Sequence, residues 1–134
     1  MKIIISGPFG HIGSYMIDKI QTDNRFKTVI LIYNFQTQRF GSYLNLKKNK
    51  FKLIDKDIND LNFKGLKGKY DFFIHLAAIT NAAESFKIKD LINSNNFGGT
   101  KKVVDFCKKK KCTSYFSLIH KCLWQKIFNN KLFK

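Results

Sequence analysis

Two hydrophobic periods alternate along the chain. Ile3, Ile4 and Ile5 form an unbroken β-branched run, the pattern of a strand buried on both faces. Ser14 to Asp23 then reads as a helix, with Tyr15, Met16, Ile17 and Ile20 as core contacts and Thr22, Asp23 and Asn24 ending it. Lys27–Tyr33 is a second buried strand. Asn34–Ser42 is polar and contains Gly41, so it reads as a loop, and Ser42 is placed to cap a short helix through Lys48. Phe51–Asp55 is a third strand, and Asp57–Leu66 reads as one or two helical turns, punctuated by Gly65 and Gly68. Tyr70–Leu76 is the fourth strand, with Ala77–Asn81 as the turn after it. A long helical pattern runs from Ile88 to Lys110, with Gly98–Gly99 as a break, and Thr113–Ile119 reads as a fifth strand. Beyond it Leu123, Trp124, Ile127, Phe128 and Leu132 keep helical spacing without a cap. Strands alternating with helices predict a parallel sheet with right-handed crossovers.

The first junction carries the chemistry. Glycines recur at Gly7, Gly10 and Gly13, between the first strand and the first helix. Strand, glycine turn, helix is the context in which such glycines point to dinucleotide binding. Gly7 allows a tight turn, Gly10 lets the backbone approach a pyrophosphate, and Gly13 lets the helix pack closely on the sheet. Backbone N–H groups at His11 and Ile12 then face the phosphates from the helix N-terminus. The spacing Gly-x-x-Gly-x-x-Gly differs from the usual Gly-x-Gly-x-x-Gly, and a plain glycine-rich βα turn is the alternative.

Size and composition change the picture little. The 134 residues make one domain that buries about two-thirds of its unfolded surface, with Pro8 as the single proline and no internal repeat. No apolar run reaches the ~18 residues of a membrane span, and the N-terminal apolar stretch is too short for a signal peptide, which favours the cytoplasm. Three cysteines, Cys107, Cys112 and Cys122, have no zinc-site spacing and read as free thiols in a reducing compartment, Cys107 on an inner helix face. The net charge of +16 raises a nucleic-acid hypothesis. Against it, only Arg25 and Arg39 of the 25 basic residues are arginine, and the lysines are spread along the chain. The run Lys108–Lys111 ends a predicted helix, where it complements the dipole.

Five stretches carry a family likeness: Ile5–Ile17, Leu31–Thr37, Asp55–Asp60, Ile74–Thr80 and Asn95–Cys107. In order and spacing they resemble the extended short-chain dehydrogenase/reductase family, in particular the NAD-dependent nucleotide-sugar epimerases and dehydratases. The likeness covers Met1 to Cys112 and corresponds to the front part of a family member. It implies an α/β, Rossmann-like parallel sheet of four or five strands, incomplete, with helices on both faces. It implies that Gly7, Gly10 and Gly13 form the pyrophosphate turn with the amides of His11 and Ile12. Asp57 and Ile58 match the acidic–apolar pair that contacts adenine; a helix N-cap is the alternative for Asp57. Leu76, Ala77 and Ala78 match a small-residue turn lining the cofactor, and Thr80 falls near the nicotinamide ribose. Asn96, with Gly99 and Thr100, matches the asparagine of the central helix, with a solvated helix residue as the alternative. His75, ending a strand, reads as a satisfied core histidine.

Two departures bear on function. The acidic residue that takes the adenosine ribose is missing: 20 positions beyond Gly13 stands Tyr33, followed by Asn34, which could make part of that contact. Arg39 lies in the following loop and could tolerate a 2′-phosphate; the cofactor expected is NAD, with NADP possible and reduced affinity for either as the alternative. The family's catalytic Tyr-x-x-x-Lys is also absent from its place after strand five; Tyr15-x-x-x-Lys19 and Tyr43-x-x-x-Lys47 stand elsewhere. The organisation expected is a dinucleotide-binding unit over 1–112 and a divergent tail over 113–134, in a truncated or frameshifted member or a short protein with a capping helix. The function expected is the NAD(P)-binding N-terminal part of an epimerase/dehydratase-like protein that is inactive alone, the nucleotide-sugar substrate belonging to full-length relatives. The alternatives are a non-catalytic nucleotide-binding module or a lysine-rich nucleic-acid binder. An exposed sheet edge makes homo-oligomerisation a further expectation.

Overall fold

A computed structural model describes residues 1–37, 41–46, 49–79 and 89–116. Five strands form one parallel sheet: β1 (Lys2–Ser6), β2 (Thr28–Tyr33), β3 (Phe51–Asp55), β4 (Phe72–His75) and β5 (Thr113–Phe116). Their order is β3-β2-β1-β4-β5, so the direction of strand addition reverses between β1 and β4. The order, with helices on both faces, is that of an incomplete Rossmann-like α/β sheet.

The apolar runs are explained by the two layers they feed. In β1, Ile3 and Ile5 point to one face and Ile4 to the other, and all three are fully buried. On the first face α1 (His11–Thr22) packs Ile17 and Ile20 against Ile3, Ile5, Val29 and Leu31. On the second face α4 (Gly98–Lys110) packs Val103, Phe106 and Cys107 against Ile4, Ile30 and Phe73. Phe106 meets Phe73 edge-on with ring centroids 5.9 Å apart. Burial pushes the Cys107 thiol pKa up, and a hydrogen bond with the Cys112 thiol adds to the shift.

Several expected elements fall differently. α1 begins at His11, three residues before Ser14, because Gly10 in an extended conformation caps it without a side chain. Tyr15 is two-thirds exposed and not a core contact, since it points away from the stripe of Ile17 and Ile20. A single turn, α2 (Gly41–Leu44), starts before Ser42, which therefore does not precede it as a cap; Lys47 and Lys48 lie outside the described residues. Between Asp57 and Leu66 only one 3₁₀ turn forms, at Phe63–Gly65, with the Asn62 side chain accepting from the Lys64 N–H at 3.1 Å. Gly98–Gly99 does not break the helical run. α3 (Lys89–Ile92) passes through a π turn at Asn93–Phe97 into α4, and the glycines serve contact instead: a Cβ on Gly99 would lie 2.9 Å from Ile58 Cγ2. The expected strand residues past Phe116 and the helix-like tail lie outside the described residues. No helix among the described residues is long and apolar enough to cross a membrane.

Candidate functional site

A cleft of about 640 Å³ opens at the carboxyl ends of β1, β2 and β4, where the strand order reverses. That is where open parallel sheets bind ligands. Its floor is the glycine turn. Gly7 leaves β1 with φ +68°, a conformation that favours glycine, and its N–H donates to the Ile32 carbonyl at 3.1 Å. Sterics demand glycine there as well, since a Cβ would stand 2.6 Å from the backbone nitrogen of Ala77. A Cβ on Gly13 would meet the Pro8 carbonyl oxygen at 2.5 Å, so its close packing is against the turn and not against the sheet itself. Gly10 differs: only the Gly7 oxygen, at 3.6 Å, lies near its Cβ direction. The open side of the turn thus sits beside the N-terminus of α1. The first turn of that helix holds no acidic side chain to oppose its positive end.

The far end of the cleft is built by β2 and β3. Tyr33 and Asp55 are register partners, so the residues just beyond both strands meet. Asn34 Nδ2 donates to Asp57 Oδ2 at 2.7 Å, and Asn34 Oδ1 accepts from the Gln36 N–H at 3.3 Å. Asp57 Oδ1 accepts from the Asn59 N–H at 2.8 Å. Asp57 therefore caps a turn, though no α-helix follows, and also faces the cleft. The Tyr33 hydroxyl donates to the carbonyl of Thr37, which also lines the cleft, at 2.6 Å, while its ring meets Phe9 edge-on at 4.9 Å.

The third wall is the segment after β4. Asn96, buried on the π turn, clamps it: the Asn96 Oδ1 accepts from the Ile79 N–H at 2.9 Å and Nδ2 donates to the Ile79 carbonyl at 3.1 Å. Its neighbour Asn95 lines the cleft. Asn59 Nδ2 donates to Asn95 Oδ1 at 2.8 Å, tying the π turn to the segment that carries Asp57. His75 is a core histidine, buried with its Nδ1 2.6 Å from Ser6 Oγ.

Gly7, Gly10, His11, Ile12, Gly13, Asn34, Asp57, Ile58, Leu76, Ala77 and Ala78 all line this one cleft. Asn96 stands behind its wall, and Thr80 and Arg39 lie outside the described residues. Sequence reasoning did not single out Gln36, Lys56, Ile79 or Asn95 as lining residues. Lys56 had a usable signal, since it immediately precedes the Asp57–Ile58 pair. The Tyr15-x-x-x-Lys19 string stays off the cleft, with the Lys19 Nζ 5.3 Å from the Tyr15 ring centroid on exposed surface.

A model of the NAD-dependent epimerase/dehydratase family matches residues 3–120. The chain is similar to dTDP-D-glucose 4,6-dehydratase of Dictyostelium discoideum, 32% identical over 123 residues that cover 85% of this chain and 27% of that protein. Among solved structures, a variant of UDP-glucuronic acid 4-epimerase from Bacillus cereus, in complex with UDP-4-deoxy-4-fluoro-glucuronic acid and NAD, matches with a TM-score of 0.74. Its identity is 28%, over 84% of this chain and 38% of that one. UDP-N-acetylglucosamine 4-epimerase from Methanobrevibacter ruminantium, in complex with UDP-N-acetylmuramic acid, matches with a TM-score of 0.73 and 24% identity, a likeness of fold, over 83% of this chain and 35% of that one. The chain thus spans little more than a quarter of the curated relative's length and little more than a third of the solved structures'.

Proposed function

The chain belongs to the NAD-dependent epimerase/dehydratase family, and from that premise we propose that it forms the family's dinucleotide-binding part, the unit expected over 1–112 taking in β5 as well because that strand pairs with β4 in the same sheet. The observation that carries this reading is the open space over Gly10, between the α1 N-terminus and the Leu76–Ala78 turn. Gly7, Gly10 and Gly13 would hold the dinucleotide's pyrophosphate, with the backbone amides of His11 and Ile12 as the donors. Asp57 would accept from the exocyclic amine of adenine, with Ile58 against the base. Leu76, Ala77 and Ala78 would flank the middle of the cofactor, on the segment that Asn96 holds through Ile79; the family pattern assigns the nicotinamide ribose to Thr80, outside the described residues. When bound, the dinucleotide would supply hydride transfer; this chain's residues bind it and orient it.

The nucleotide sugar bound by the Bacillus cereus enzyme points to the substrate class of a full-length relative. We propose that this chain alone does not turn one over, because no Tyr-x-x-x-Lys pair stands at the cleft among the described residues. A cytoplasmic setting fits the free thiols of Cys107 and Cys112.

Titration of the full chain with NAD, following binding and melting temperature together, tests the reading. Saturable sub-millimolar binding with a raised Tm, abolished by Gly10→Val, is the expected result. A cooperative melt that NAD leaves unmoved would overturn it. Binding to any polyanion that fades steeply with salt and ignores Gly10→Val would favour the lysine-rich alternative.

A further inference from the structure

The adenosine end of the cleft differs from one that selects NAD, and the difference lies in how the carboxylate found there among the described residues is engaged. A site that selects NAD places a carboxylate at the end of the second strand, where it accepts from the ribose 2′-hydroxyl and repels a 2′-phosphate. Here β2 ends in Tyr33 and Asn34. The Tyr33 hydroxyl is committed to Thr37. Asn34 is neutral, and its amide is oriented by two contacts, donating to Asp57 and accepting from the Gln36 N–H. Asp57 is the carboxylate at this end of the cleft, and both its oxygens already accept hydrogen bonds, from Asn34 and from the Asn59 N–H. The side chain immediately before it, Lys56, lines the same cleft and carries the opposite charge. We propose that this cleft does not discriminate against a 2′-phosphorylated dinucleotide, and that Asn34 is the position that removes the discrimination.

The orienting bond makes the assignment specific. An amide fixed by Asp57 on one side keeps a second N–H and a second lone pair for the ribose. It can therefore donate to a phosphate oxygen or accept from a hydroxyl. A carboxylate at the same position can only accept when ionised, and it would set like charges against a dianionic phosphate.

The inference rests on the dinucleotide reading, so the experiment separates the two. NAD and NADP are titrated in parallel into the full chain, its Asn34→Asp variant and its Lys56→Gln variant. The unsubstituted chain is expected to bind NADP at least as tightly as NAD. Asn34→Asp should shift the ratio at least tenfold toward NAD. The introduced carboxylate faces Asp57 and could disturb the turn, so Lys56→Gln provides an independent arm. It should weaken NADP at least threefold more than it weakens NAD. NAD binding tenfold or more tighter than NADP in the unsubstituted chain would overturn the inference and leave the dinucleotide reading standing. Binding of neither cofactor by a cooperatively folded chain would overturn both.

Discussion

At the scale of single residues, the glycine turn separates two demands that look alike in the sequence. Gly13 is required by packing, whereas at Gly10 packing makes no such demand and the proposed dinucleotide would. A methyl on Gly13 meets the Pro8 carbonyl oxygen at 2.5 Å, a backbone atom that cannot swing aside. Gly13→Ala is therefore expected to destabilise the fold by about 2 kcal/mol, lowering Tm by roughly 5–10 °C. At Gly10 the nearest atom to an added Cβ is 3.6 Å away and φ is −69°, an ordinary value for alanine. Gly10→Ala should leave the melting temperature nearly unchanged and weaken NAD binding. Thermal melts and NAD titrations on the two variants check this crossed pattern; equal loss of stability in both would contradict it. That Gly13 allows close packing was legible, since it acts on backbone only a few positions away, although its neighbour is the Pro8 carbonyl of the turn and not the sheet. The Asn34–Asp57 hydrogen bond was not legible. It joins residues 23 positions apart and exists only because Tyr33 and Asp55 are register partners. The Asn96 clamp on Ile79 was hidden for the same reason, since an asparagine in a helical pattern is indistinguishable from a solvated one until the neighbouring turn is placed.

At the scale of elements, strands were more legible than the connections. An apolar run with both faces covered admits few readings, whereas the 57–66 segment has too little periodicity to separate an α turn from the 3₁₀ turn that forms. The π turn was invisible because one extra residue per turn leaves no compositional mark, yet it brings Asn95 to the cleft and Asn96 to its wall. The α1–β2 connection makes a prediction of its own. Asp23 ends α1 and holds Arg25 through both carboxylate oxygens, Oδ2 lying 2.6 Å from Nη2. The Arg25 guanidinium, then its backbone N–H, lower the Asp23 carboxyl from its ordinary 3.8 to about 2. Lys50 Nζ meanwhile donates to the Ile20 and Asp23 carbonyls at 2.8 and 3.0 Å, pinning the same corner from the β3 side. Because the folded pKa is the lower one, the contribution is complete above about pH 4 and is lost as pH falls toward 2. The pair is exposed, so the effect is small. Asp23→Asn should melt slightly below the unsubstituted chain at neutral pH, with the gap closing between pH 4 and 2. A gap that stays constant on acidification would show that the ion pair is not its source.

At the scale of the whole molecule, the parallel sheet followed from the alternation of strands and helices, whereas the order β3-β2-β1-β4-β5 is set by long-range pairing that the alternation does not encode. What composition left ambiguous was the charge. A formal +16 on 134 residues is far from neutral, and the lysines are spread along the whole chain. Lys108, Lys109 and Lys110 occupy the last turn of α4, where they favour the helix dipole, and Lys111 closes that helix in a left-handed conformation. Lys102 Nζ reaches across to the Asn59 carbonyl and bridges α4 to the segment behind the cleft. Locally these lysines are satisfied; collectively they repel. Folding concentrates the excess charge onto a smaller surface, so the compact state bears more of the repulsion than the unfolded chain. Salt shortens the range of that repulsion to about 10 Å at 0.1 M, and it acts before any specific anion site does. The melting temperature should therefore rise by several degrees as sodium chloride goes from about 0.02 to 0.3 M. Chloride and perchlorate at equal ionic strength should differ little if screening is the cause. A Tm that falls with salt would mean that local ion pairs such as Asp23–Arg25 outweigh the global field. A rise confined to multivalent phosphates would place the anion in the glycine turn instead.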